Sequence, residues 1–131
     1  MQKLIHRLLQ ANFFFKGAAF YATLIVILLS LKPNSPDLEP WTLMFIRCDL
    51  VQHFICYFVM TVVYLFAFYT KQNALRKSVI CSLILGYTLE LFQVIPIFQR
   101  DFDFTDLIAN SSGVLGAWLI LRGFFNYSVQ E

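Results

Sequence analysis

The chain has 131 residues, of which 59% are hydrophobic and 14% are charged. A soluble domain carries about 25% charged residues, so this composition excludes a water-soluble globule and predicts one integral membrane domain, residues 1–131, with the lipid bilayer as its surroundings. The net charge is only +2, and the basic residues form no face of the kind that binds nucleic acids. The sequence therefore argues against nucleic acids as partners.

Four apolar stretches, each about the 20 residues that cross a bilayer as a helix, predict an all-α membrane four-helix bundle. The first is longer than the apolar core of a cleavable signal peptide, so we interpret it as a span. Prolines interrupt the pattern in the first loop and again at Pro96, near the end of the third span. The spans are predicted at about residues 13–31, 46–69, 78–97 and 106–125.

The basic residues lie unevenly between the two predicted membrane sides. One side, with the two chain ends and the second loop, carries Lys3, Arg7, Lys16, Lys71, Arg76, Lys77 and Arg122. The other side carries only Lys32, Arg47 and Arg100. Because basic loops stay in the cytoplasm, both termini are predicted to be cytoplasmic.

The second span begins with polar residues at a helical spacing. Asp49, His53 and Tyr57 are four residues apart, so they form one stripe along a helix. Ionisable groups within a bilayer usually face the bundle interior or a water-filled cavity. The structural alternative is that Asp49 caps the helix and His53 pairs with it.

The third span ends with a similar stripe, Tyr87, Glu90 and Gln93, three residues apart. A carboxylate at the position of Glu90 must be paired or partly solvated. The alternative is a structural clamp between Glu90 and Arg100 or the start of the fourth helix.

The segment RDFDFTDLIANSSGVLGA is the richest in polar residues. From Asp103 onwards its polar side chains share one helix face, and either Asp103 or Thr105 is suited to cap the helix. Further along, Gly113 and Ala117 form a pair of small residues that lets helices approach closely. That face would serve either the bundle itself or a homo-oligomer.

The three stripes belong at one membrane face, because the second helix enters from outside, the third leaves there and the fourth enters again. We therefore predict a ligand-binding site open to the periplasm or the exterior. Its catalytic candidates are His53, Glu90 and Asp106, and no cofactor or metal is predicted, although Asp49, His53 and Glu90 leave a divalent cation open. The ligand-binding residues are predicted to be Asp49, His53, Tyr57, Glu90, Gln93, Arg100, Asp103, Asp106 and Asn110.

These motifs, in this order along residues 30–117, resemble those of the VanZ-like family of small bacterial membrane proteins. The most specific stretch is RDFDFTDLIAN, whereas Leu50 and Ala117 stand where the family commonly has Lys and Gly. The resemblance implies a multi-pass protein of the bacterial inner membrane that acts on the cell envelope and affects susceptibility to teicoplanin. It does not imply a reaction, so whether the protein is an enzyme stays open.

Three functions remain open at the level of the sequence. The favoured one is a protein that binds or modulates a lipid-linked or glycopeptide-like molecule, with Trp41, Phe98, Phe102 and Phe104 at the interface. The second is an intramembrane enzyme acting on a lipid head group or a cell-wall precursor, with His53 as general base. The third is a structural or assembly role, in which the polar residues form an interhelical network without a ligand.

Overall fold

The structure, a computed structural model, describes residues 12–32, 42–43, 46–98 and 100–128. Within these ranges the chain forms four long helices, which confirms the predicted helical fold and the number of helices. The helices are α1 (Asn12–Ser30), α2 (Cys48–Phe68), α3 (Ala74–Gln93) and α4 (Phe104–Ser128). The described part of the chain also contains a short 3₁₀ turn, Pro96–Phe98, and a small antiparallel pair, β1 (Thr42–Leu43) with β2 (Ile46–Arg47).

The bounds of α2 and α3 differ from the predicted spans. Helix α2 begins at Cys48 instead of residue 46, because the two preceding residues pair with β1. Helix α3 lies earlier at both ends than the predicted 78–97, since its first turn includes Arg76 and its last residue precedes the turn at Pro96. It follows Asn73, whose φ of 59° lies in the left-handed region that asparagine tolerates. The first-loop prolines and Trp41 lie outside the described residues.

Three helices are long and apolar enough to cross a membrane, which indicates a membrane protein. These segments are Phe13–Ser30, Asp49–Phe68 and Phe104–Phe124, with mean hydropathies of 1.9, 1.9 and 1.3. Their large apolar side chains are extensively exposed, as at Phe13 and Phe20. Such surfaces suit a lipid environment, because soluble proteins rarely expose large contiguous apolar patches.

Helix α2 is the centre of the bundle and packs against the other three helices. It contacts α1 through a hydrogen bond of 2.7 Å between the hydroxyls of Thr23 and Tyr64. Val26, Met60 and Leu89 form an apolar core among α1, α2 and α3. The helices therefore surround α2, and their ends are placed by the packing around it.

Helices α2 and α4 approach each other closely at Gly113. A Cβ added there would collide with the carbonyl oxygen of Phe54 on α2. One turn further on, Ala117 is completely buried. The sequence left open whether this small-residue face packs within the bundle or against a second copy of the chain. In the structure α2 packs against it, and a homo-oligomer stays a prediction.

We expect Gly113→Ala to lower the free energy of unfolding by about 1–3 kcal/mol, the usual cost of overpacking, because Phe54 presents backbone that cannot rotate away. Unfolding of the purified protein in detergent by titration with SDS would measure the change. Gly123→Ala is the matched control, since it lies in the same helix with nothing within 4 Å of an added Cβ. Equal stability of the two variants would contradict the close contact.

Candidate functional site

Four polar side chains from three helices meet near one end of the bundle. They are His53 of α2, Glu90 of α3, and Asp106 and Asn110 of α4, here termed the polar cluster. At a rise of 1.5 Å per residue, their backbone positions lie roughly 3–9 Å inside the nearest helix ends. Only 1% of Glu90, 4% of Asp106 and 3% of Asn110 is exposed, so the cluster is largely shielded from its surroundings.

The side-chain amide of Asn110 bridges the other two helices. Its Nδ2 donates to Oε1 of Glu90 over 3.3 Å, and its Oδ1 lies 2.9 Å from Nδ1 of His53. Because an amide oxygen can only accept, Nδ1 of His53 must carry the proton in this hydrogen bond. The tautomer of neutral His53 is thereby set, with the lone pair on Nε2.

Nε2 of His53 faces the carboxylate of Asp106, at 3.4 Å from its Oδ2. Protonation of His53 would convert this contact into a buried ion pair, whereas neutral His53 presents a lone pair beside the carboxylate. The pair can therefore exchange a proton or share a cation. Both are chemical roles that the sequence left open for His53.

Three buried polar atoms of α3 have no hydrogen-bond partner among the described residues. They are Oγ of Ser82, Oε2 of Glu90 and Oε1 of Gln93, and Glu90 and Gln93 are each only 1% exposed. A buried acceptor without a donor costs about 1–3 kcal/mol, and more when it is charged. The polar network is thus incomplete within the described part of the chain, and Glu90 has capacity for a further contact.

The cluster also brings together three groups that commonly bind metals. His53, Glu90 and Asp106 each offer one ligand atom, and these atoms lie within 4.8 Å of one another. Asp49, which the sequence placed in such a group, lies in the first turn of α2, one turn before His53, and its Oδ1 accepts the N–H of Leu50 at 2.9 Å. Asp106, one of the catalytic candidates from the sequence, is the carboxylate that faces Nε2 of His53.

Two further predicted site residues secure the end of α1. Nε2 of Gln93 and a guanidinium nitrogen of Arg100 both donate to the carbonyl oxygen of Ser30, at 3.0 and 3.2 Å. The last carbonyls of a helix lack partners within it, and a cation there is favourable. The sequence did not predict a role for Ser30, because the acceptor is its backbone carbonyl. Only the position of the end of α1 could have indicated it.

Two other predicted site residues have local structural roles. Oδ1 of Asp103 accepts the N–H of Thr105 at 2.8 Å as well as its hydroxyl, which confirms Asp103 as the N-cap of α4. The ring of Tyr57 packs where α3 has Gly86, since an added Cβ there would lie 3.1 Å from Cε1 of Tyr57. Tyr57 is 2% exposed, so its ring belongs to the interior beside the cluster.

The space around the cluster is narrow. A crevice bounded by Gly86, Asn110 and Val114 has no room for a water molecule. An apolar groove of about 440 Å³ adjoins it between α3 and α4, running from Tyr87 and Ser111 to Trp118. The polar cluster thus lies close to an apolar groove on the surface between α3 and α4.

No family model, curated protein or solved structure matches this chain. The likeness to the VanZ-like family therefore stays a prediction, carried by the motifs in the sequence.

We expect Asn110→Leu to lower the free energy of unfolding by about 1–3 kcal/mol, because it leaves buried groups of both His53 and Glu90 without a partner. SDS titration in detergent would measure this loss. Ser111→Ala is the control, since its hydroxyl bonds only to the Leu107 carbonyl of its own helix. A Leu variant as stable as the wild type would show that the bridge contributes nothing to holding the three helices.

Proposed function

We propose that this chain is a four-pass protein of the bacterial inner membrane that binds the polar head of a lipid-linked envelope molecule. The observation that carries the proposal is the burial of Glu90, Asp106 and Asn110 beside His53. Ionisable groups in membrane segments are costly, and they usually mark a substrate, ion or ligand pathway. The polar cluster is accordingly the binding site in this proposal.

Helix α3 is the fourth span in this proposal, although it is less apolar than the others. Its 20 residues reach about 30 Å, the thickness of the hydrocarbon core. Ile80, Ile84 and Leu91 are exposed on its outer surface. The residues it buries are mostly small or polar, namely Ser78, Ser82, Gly86, Leu89, Glu90 and Gln93. Polar residues inside and apolar residues outside are expected of a helix surrounded by lipid.

The orientation of the bundle follows from its charges. The connection between α2 and α3 contains Lys71, and Arg76 and Lys77 follow in the first turn of α3. The polar cluster lies at the opposite end, where Asp101 and Asp103 precede α4. Cytoplasmic loops are enriched in basic residues, so both termini lie in the cytoplasm and the cluster lies near the outer membrane face.

The ligand class is supported by the groove beside the cluster and by the family resemblance. A lipid-linked molecule has a polar head that can exchange hydrogen bonds with the cluster and an acyl chain that fits the groove at Tyr87 and Trp118. The VanZ-like motifs add the cell envelope and a glycopeptide such as teicoplanin as the context. The bound molecule in this proposal is therefore an envelope lipid or precursor.

An intramembrane enzyme is the second candidate, favoured by one contact. Nε2 of His53 lies 3.4 Å from Asp106, and Asn110 holds the opposite ring nitrogen. An oriented imidazole beside a carboxylate can act as a general base. Turnover of a lipid head group by the wild type, lost in His53→Gln, would favour this candidate over binding alone.

The orientation predicts opposite accessibility of the two bundle ends. With the native cysteines replaced, Asp101→Cys should react with a membrane-impermeant maleimide in intact spheroplasts. Gln72→Cys, also exposed but in the α2–α3 connection, should react only after the membrane is permeabilised. The reverse pattern would invert the topology and place the polar cluster at the cytoplasmic face.

Expression of the wild-type chain in a sensitive host is expected to raise the minimum inhibitory concentration of teicoplanin. Asp106→Asn and Glu90→Gln, which remove charge with little change of shape, should abolish the effect at equal membrane levels. Asp101→Asn is the matched control, because it removes an exposed carboxylate near the same end and should protect fully. No protection by the wild type would contradict the proposed link to teicoplanin. Protection that persists in both cluster variants would contradict the proposed site.

A further inference from the structure

The geometry points to a divalent metal site in which Nε2 of His53 and carboxylate oxygens of Glu90 and Asp106 are the protein ligands. This inference goes beyond the proposed function and does not depend on it, because these residues would hold the cation whatever else the protein binds. The three ligand atoms come from three helices, so the cation would also join α2, α3 and α4.

The separation of the ligand atoms suits a small cation. Nε2 of His53 and Oδ2 of Asp106 are 3.4 Å apart. Two ligands on one tetrahedral zinc ion are separated by about 3.4 Å, since Zn–N and Zn–O bonds are roughly 2.0–2.2 Å long. One ring nitrogen of His53 and one carboxylate oxygen from each of Glu90 and Asp106 lie within 4.8 Å of one another.

Asn110 presents the histidine as a metal ligand requires. Metal-bound histidines almost always donate their other ring N–H to a nearby acceptor, which sets the tautomer and the ring orientation. Here Nδ1 of His53 donates to Oδ1 of Asn110, leaving the Nε2 lone pair towards Asp106. The same amide donates to Oε1 of Glu90, so one side chain orients two of the three ligands.

A separate observation on Glu90 points to a missing partner. Its Oε1 is engaged by Asn110, which places the carboxylate within the cluster, but its Oε2 has no hydrogen-bond donor among the described residues. The residue is 1% exposed, so bulk water does not supply that donor. A cation would satisfy this oxygen directly.

Charge balance also favours a divalent ion. Two buried carboxylates close together are costly when ionised in apolar surroundings. With neutral His53 as the third ligand, a cation of charge +2 makes the group of Glu90, Asp106 and metal formally neutral. A monovalent cation would leave one negative charge uncompensated within this group.

The donor atoms select the class of cation. One imidazole nitrogen with two carboxylate oxygens suits zinc or manganese, whereas magnesium and calcium prefer oxygen ligands alone. The usual affinity order of divalent metals places zinc above manganese. We therefore expect Zn²⁺ to bind more tightly than Mn²⁺, and Mg²⁺ to compete poorly with both.

The test is calorimetric titration of the purified, chelator-treated chain with Zn²⁺, Mn²⁺ and Mg²⁺ in detergent. The expected result is one Zn²⁺ per chain, with affinity lost in His53→Gln, Glu90→Gln and Asp106→Asn. Asn110→Leu, which removes only the orienting amide, should weaken binding by about 10–100-fold. Asp101→Asn is the control and should bind as the wild type does.

The site would be refuted by wild type that binds no Zn²⁺, or by Glu90→Gln and Asp106→Asn variants that bind it unchanged. Circular dichroism and SDS titration of each variant separate loss of ligands from loss of fold, and a folded variant without binding supports the site. Failure of the proposed function is distinguishable, because no envelope lipid or teicoplanin is present in the titration.

Discussion

The amide of Asn110 is the contact on which the arrangement of the bundle end depends. Its two polar atoms face different helices, with its oxygen on His53 of α2 and its nitrogen on Glu90 of α3. An amide has one accepting and one donating side, so both neighbours are constrained at once. This single orientation of the amide places the proton of His53 on Nδ1 and leaves Nε2 facing Asp106. It also positions the Glu90 carboxylate.

The bundle reverses the polarity of a soluble helical protein. Its outer surface is apolar, and it buries serines, a glutamate, a glutamine and an asparagine between the helices. Interhelical hydrogen bonds in membranes contribute modestly, about 0.6 kcal/mol on average, so close packing must supply much of the stability. Gly113 provides that packing by letting α4 approach the backbone of α2. Helix α4 therefore combines a small-residue face for close packing, at Gly113 and Ala117, with two members of the polar cluster near its end, Asp106 and Asn110.

The four helices and the candidate residues of the polar cluster could be predicted from the sequence. Both depend on the helical spacing of apolar and polar residues and on the reversal of chain direction from one helix to the next. Spacing alone could not show which polar residues touch. It left His53 free to pair with Asp49 along one helix or to meet Glu90 or Asp106 from the other helices, and only the structure shows the contact with Asp106. It also could not show that Gln93 and Arg100 reach Ser30, since the acceptor is a backbone carbonyl that any residue would supply. The shifted bounds of α3 have a similar cause, because a basic first turn looks like a loop.

In the proposed four-pass arrangement, the polar inner face of α3 has a consequence for how the protein enters the membrane. Buried serines and Glu90 raise the free energy of inserting this helix alone, since polar side chains oppose partitioning from the translocon into lipid. The connection between α2 and α3 spans only residues 69–73, so the two helices can leave the translocon as one hairpin with their polar faces together. Glu90 would still lack Asn110 until α4 is synthesised. In that arrangement the polar cluster forms only once α4 is in place, and a chain truncated before α4 would leave the Glu90 carboxylate without Asn110.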